Sequence, residues 1–181
     1  MSTRRREQSD PVVDVMAVIQ SAKARGTGLE GMESLMARAL PEADDEEVCE
    51  AAGLGLEIIE SVPVFLARAR QEAGERGLEH VVLPLLERAE RYFLKPIDLI
   101  PEMTHGLPGL LDDAYLVIRT LQNLDHGSEP FLDWDLEAPV RFLTRVLGGA
   151  MTDRLDAIAE EALDDLSDRL DALWDSTAHR A

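Results

Sequence analysis

Between Leu110 and Leu124 the residues Leu110, Ala114, Val117, Leu121 and Leu124 recur at alternating steps of four and three. An α-helix turns about every 3.6 residues, so this spacing lays one apolar stripe along a single face. Leu111 and Ile118 widen that stripe, which predicts a central helix buried on much of its circumference. A strand would need alternation with a period of two, and no segment of the chain has a pattern of that kind worth defending. The fold class that follows is all-α.

Other segments carry the same signature with recognisable starts and stops. Asp10 before Pro11 reads as an N-cap with proline at the first helical position. Val12, Val15, Met16 and Ile19 follow at helical spacing as far as Gly26 and Gly28. A short second helix over 31–40 places Met32, Leu35, Met36 and Leu40 on one side. Pro41 opens an acidic stretch through Glu47, suited to the positive end of a third helix that runs on through Val48, Leu54, Leu56, Ile58 and Ile59. Pro63 lies within that pattern, and we read it as a break, with Ser61 capping a new helix over 62–75. After Gly74 and Gly77, a helix through Val81, Val82, Leu85, Leu86 and Ala89 ends at Tyr92 or Phe93. Beyond the Leu110–Leu124 stripe come a polar loop, a helix over 136–147 stopped by Gly148 and Gly149, and a last helix over about 152–175 capped by Thr152. Leu155, Ala159, Ala162, Leu166, Leu170 and Leu173 form its apolar side, while acidic residues crowd the others. The expected architecture is a single-domain helical bundle of about seven helices over 10–181, preceded by a disordered basic tail over 1–9.

Composition narrows the function classes. With 45% hydrophobic but only 4% aromatic residues, the core must be packed mainly from aliphatic side chains on good helix formers. The 36 acidic residues against 18 basic ones give a formal charge of -18, which repels phosphate backbones and argues against nucleic-acid binding. The same field favours a protein partner with a basic surface. Cys49 is the single cysteine, so no disulfide framework is available, and a cytoplasmic setting is expected. It is read as a buried structural thiol. No transmembrane segment, leader or cofactor motif is evident.

From Tyr92 the chain runs Y-F-L-K-P-I-D-L-I-P-E-M-T-H-G-L-P-G-L-L-D-D-A-Y, setting Pro96, Asp98, Pro101, Pro108, Asp112 and Asp113 among apolar residues. Proline bars helical geometry to the residue before it, so Pro96 and Pro101 each start a tight turn. Asp98 is then placed to hold backbone N–H groups while Leu99 and Ile100 point inward. The expected product is a Pro- and Asp-rich corner between two helices. On the following helix, steps of about 100° put Asp113 at the edge of the apolar stripe and Asp112 on the outer side with Tyr115 and Arg119. This string resembles the core motif of the YkvA-like family, the bacterial domain of unknown function DUF1232. In that family a proline, an Asp-Leu-Ile-Pro string, a glycine-bearing connection and an Asp pair follow one another in this order. The resemblance covers about 81–124. It implies a helical fold and no assigned activity. Many members of the family look membrane-associated, whereas Thr104, His105 and Pro108 stand here where a more apolar connection is expected.

Three functional readings follow. The preferred one is a non-enzymatic protein-interaction or regulatory module, in which Pro96, Asp98, Leu99, Ile100, Pro101, Asp112 and Asp113 have a structural role and the acidic last helix permits self-association. The second is a metal-dependent hydrolase in which Asp98, Glu102, His105, Asp112 and Asp113 converge on a divalent ion, since carboxylates with one imidazole suit Mg²⁺, Mn²⁺ or iron. The third is a peripheral membrane protein exposing Leu107, Leu110 and Leu111. His80, His126 and His179 are isolated, and Trp134 and Trp174 read as packing anchors.

Overall fold

Proline at the first position of a helix forgoes only an N–H that would have no intrahelical partner, and α1 begins at Pro11. The computed structural model describes residues 11–25, 28–94, 106–125 and 130–164. Seven helices occupy them: α1 (Pro11–Arg25), α2 (Leu29–Ala39), α3 (Asp45–Arg76), α4 (Glu79–Leu94), α5 (Leu111–Gln122), α6 (Glu137–Leu147) and α7 (Gly149–Asp164). A 3₁₀ turn over Leu107–Leu110 leads into α5. Among the described residues there is no strand, and the all-α bundle stands as the sequence predicts.

Helix α3 departs from expectation. Its 32 residues run unbroken through Pro63, so the predicted break there does not occur. Proline removes one backbone donor and crowds the preceding turn. Burial overrides that cost, because Pro63 lies between the buried residues Val62 and Leu66, and Ile58 and Ile59 hold the preceding turn to the core. Ser61, instead of opening a new helix, donates its hydroxyl to the Glu57 carbonyl at 2.7 Å. The start of α3 is a capping box: the Asp44 carboxylate accepts from Glu47 N at 2.9 Å, and Asp44 N donates to the Glu47 carboxylate at 3.0 Å. Gly77 ends the helix at φ +69°, a left-handed conformation that an L side chain rarely adopts.

Two further expectations fail locally. Cys49 is exposed, because it lies on the face of α3 turned away from the buried row of Ala52, Gly55 and Ile59. Thr152 is not the cap of the last helix. Gly149 already begins α7, and the Thr152 hydroxyl donates back to the Gly148 and Gly149 carbonyls.

One continuous apolar core draws on every helix, with Val15, Met32, Ile59, Leu85, Ile118, Leu143 and Leu155 each contributing from a different one. Helix α5 packs against α3, α4, α6 and α7, which makes it the central element. Leu111, Val117, Ile118 and Leu121 on it are fully buried.

Candidate functional site

The first turn of a helix presents backbone N–H groups without intrahelical partners and a positive dipole end, both of which favour carboxylates. Asp112 and Asp113 occupy that turn of α5, following the 3₁₀ turn and with no side chain capping the helix from outside. Asp113 is buried at 5% exposure, as its place at the stripe edge predicts. Asp112, expected to face outward, is also buried, at 8%. Helices α6 and α7 cover the side of α5 that a helical wheel assigns to solvent, so the outer face of this helix is also interior.

One turn further on, that same side carries a polar cluster. The Tyr115 hydroxyl donates to Asp156 of α7 at 2.8 Å, and Arg119 Nε donates to the same carboxylate oxygen at 3.0 Å. Arg119 also reaches Gln122 Oε1 at 2.6 Å. Burial first, and then hydrogen bonding to and charge repulsion from Asp156, push the Tyr115 phenol above its ordinary value of 10.0, with Thr144 and Arg119 pulling the other way. A phenol in this setting keeps its proton and serves as a donor. The cluster therefore ties α5 to α7 through groups of matched charge. Tyr115 and Arg119 share a helix face in the sequence, but Asp156 is 37 residues beyond Arg119 and had no signal to pair it with them.

A second tie precedes the motif. Glu90 of α4, 1% exposed, accepts from Arg70 Nη2 of α3 through both carboxylate oxygens, at 2.5 and 2.6 Å. Loop 130–136 is pinned in turn. Asp125 accepts from Phe131 N at 2.5 Å, Arg76 donates to the Pro130 carbonyl at 2.9 Å, and the Arg76 guanidinium sits 5.3 Å from the Phe131 ring centre. Trp134 lies against Phe65 of α3 with ring centres 5.0 Å apart, the packing role expected of it.

The remaining motif residues, Pro96, Asp98, Leu99, Ile100, Pro101, Glu102 and His105, lie outside the described residues, as do His126, His179, Trp174, the basic tail and the Leu166, Leu170 and Leu173 part of the last helix. Among the described residues no group of three or more His, Cys, Asp or Glu side chains is placed to hold a metal ion. Leu107, Leu110 and Leu111, expected at an exposed tip in the membrane reading, are buried at 2%, 6% and 0%. They close the core beneath the 3₁₀ turn, in contact with α1, α2 and α5, and so offer nothing to a lipid surface. No described helix is long and apolar enough to cross a membrane.

Fold and site together define a helical bundle whose buried acids and ion pairs bracket the link between α4 and α5. Residues 91–118 match the model of a family described as a protein of unknown function (DUF1232), so the chain carries the motif its sequence resembles. No curated protein and no solved structure gives a significant match.

Proposed function

We propose that the chain is a non-enzymatic protein-interaction module of the cytoplasm. The observation that carries this reading is where its apolar side chains are left. Val64, Val13, Met16 and Leu54 are 58%, 54%, 49% and 43% exposed, although the bundle has an ample aliphatic core in which to bury such groups. Three of the four line grooves. Met16 and Val64 line an open groove of about 480 Å³ between α1 and α3, together with Val12, Ile19, Pro63 and Ala67. Leu54 lines a second groove of the same size between α3 and α6. Apolar grooves on a bundle tied by internal ion pairs suit a rigid surface that receives a partner.

The test is affinity capture from the native cell with the wild-type chain and with Val64→Asp and Leu54→Asp, both substitutions at exposed positions. A defined, stoichiometric partner lost with one of the two variants is the expected result. Recovery of no partner, or of one indifferent to both, would sink the reading.

The alternative is a metal-dependent hydrolase using the motif acids, of which Asp112 and Asp113 are buried in the first turn of α5. Melting curves with Mn²⁺ or Mg²⁺ separate the two. The interaction reading expects no shift, whereas a stoichiometric ion and a rise in melting temperature abolished by Asp113→Asn would replace it with the hydrolase.

A further inference from the structure

We infer that the groove between α3 and α6 is the docking site for a basic, amphipathic helical segment of a partner protein; this deepens the interaction reading above and rests on it. Glu47, Glu50, Ala51 and Leu54 follow one another at helical steps of three, one and three, so they form one row along the first turns of α3. Phe142 and Arg145 face them from α6, and Leu40, Glu42 and Ala43 of the α2–α3 link complete the lining. The floor is apolar: Leu40 is buried, Phe142 and Ala51 are half-buried, and Leu54 projects into solvent. The rim carries Glu42, Glu47 and Glu50 against the single cation Arg145, and Asp44, Asp45 and Glu46 extend the negative charge around the start of α3.

That combination selects its occupant. From Glu47 to Leu54 the row rises through seven residue steps, about 10 Å at 1.5 Å per residue, or roughly two helical turns. An incoming helix of similar length can lay one or two aliphatic anchors beside Leu54 and Phe142, with lysines or arginines flanking them over the glutamates. An acidic or neutral segment would desolvate the same carboxylates without compensation, and the overall charge of -18 also repels an acidic one at long range. The groove between α1 and α3 has no such preference, since its rim pair Lys23 and Glu60 is already neutralised.

Binding is read by isothermal titration calorimetry on the full chain, because Cys49, at about 100° per residue, falls on the side of α3 away from the row of Glu47, Glu50 and Leu54 and does not line the groove. The titrants are a designed Leu/Lys amphipathic helical peptide, a peptide of the same composition with its leucines scattered off one face, and an acidic amphipathic peptide. Saturable binding of the first, weakened at least about tenfold by Leu54→Asp and by the pair Glu42→Lys and Glu50→Lys, is expected, with the scattered and acidic peptides at least as much weaker. Glu47 is left intact because it closes the capping box. Circular dichroism melting of each variant verifies folding, and Leu54 is exposed enough that its substitution should leave the melting temperature near wild type. No binding of the amphipathic peptide would overturn the proposal. So would equal binding of the scattered peptide, or affinity unchanged by Leu54→Asp, since either would reduce the interaction to bulk charge. If cellular capture is abolished by Val64→Asp while Leu54→Asp leaves it intact, the interaction module stands and this groove falls.

Discussion

Arg70 and Glu90 illustrate how much a single buried pair controls. Glu90 is almost without solvent, whereas the Arg70 side chain keeps 23% of its surface exposed, so the two partners are not equivalent. Removing the arginine takes the charged partner from a carboxylate in the interior, a loss that costs about 3–5 kcal/mol where nothing else compensates and less where, as for Glu90, the carboxylate has a further interaction. Arg70→Ala is therefore expected to lower unfolding free energy by roughly 2–3 kcal/mol in denaturant titration. Glu90→Gln, which keeps a hydrogen-bonding side chain without the charge, should cost clearly less; equal losses would contradict the desolvation account. Tyr115 makes a different prediction, in pH. Its folded phenol holds its proton beyond 10.0, so above that value the unfolded chain binds fewer protons than the native one. The stabilisation is complete below pH 10 and is lost as pH rises through the elevated folded value. In an alkaline ultraviolet titration, a tyrosinate step above pH 10 is expected that Tyr115→Phe removes. If that step survives the substitution, the assignment fails. Neither pair was legible in the sequence, because each joins residues on different helices.

At the scale of elements, helix positions were largely legible and one helix junction was not. The start of α1, the extent of α6 and the central place of α5 follow from proline, the glycine stops and the apolar stripe. The continuity of α3 does not follow, since a local rule about proline meets a row of buried side chains that only the packed bundle supplies. The glycines of α3 offer a direct test of that packing. A Cβ at Gly53 would meet nothing within 4 Å, whereas one at Gly55 would come within 3.0 Å of Met36 Cε and 3.4 Å of Met32 Sδ on α2. Alanine is favoured over glycine in a helix interior by about 1 kcal/mol. Gly53→Ala should therefore raise stability by about that amount. Gly55→Ala should gain little, because the methionine ends must yield. Equal gains at both sites would mean that α2 does not press on Gly55. The motif link between α4 and α5 gave the sequence its family resemblance, and its two described acids show the limit of wheel reasoning. Asp113 is where the stripe puts it, while Asp112 is buried by helices that a one-helix projection does not contain.

For the molecule as a whole, charge and core set opposing tendencies. A net charge of -18 on 181 residues opposes compaction, and added salt shortens the screening length from about 30 Å at 0.01 M to about 10 Å at 0.1 M. Salt also weakens exposed pairs such as Arg141 with Glu137, but such pairs contribute at most about 1 kcal/mol each, and acids outnumber bases two to one. The melting temperature is therefore expected to rise by a few degrees over that range, about 2–4 °C for each kcal/mol gained. A fall would show that favourable pairs outweigh the repulsion. The division between chain and fold has a physical basis throughout. Helical periodicity, proline placement and net charge are properties of neighbouring residues or of the whole composition, so the sequence by itself determined an all-α chain, a central α5, a motif between two helices and an acidic surface. Which side of each helix meets water depends on elements distant in the chain. Only the tertiary structure decided that Asp112 and Tyr115 are interior, that Pro63 is carried within a continuous helix, that Cys49 and Leu54 face solvent, and that Leu107, Leu110 and Leu111 do not.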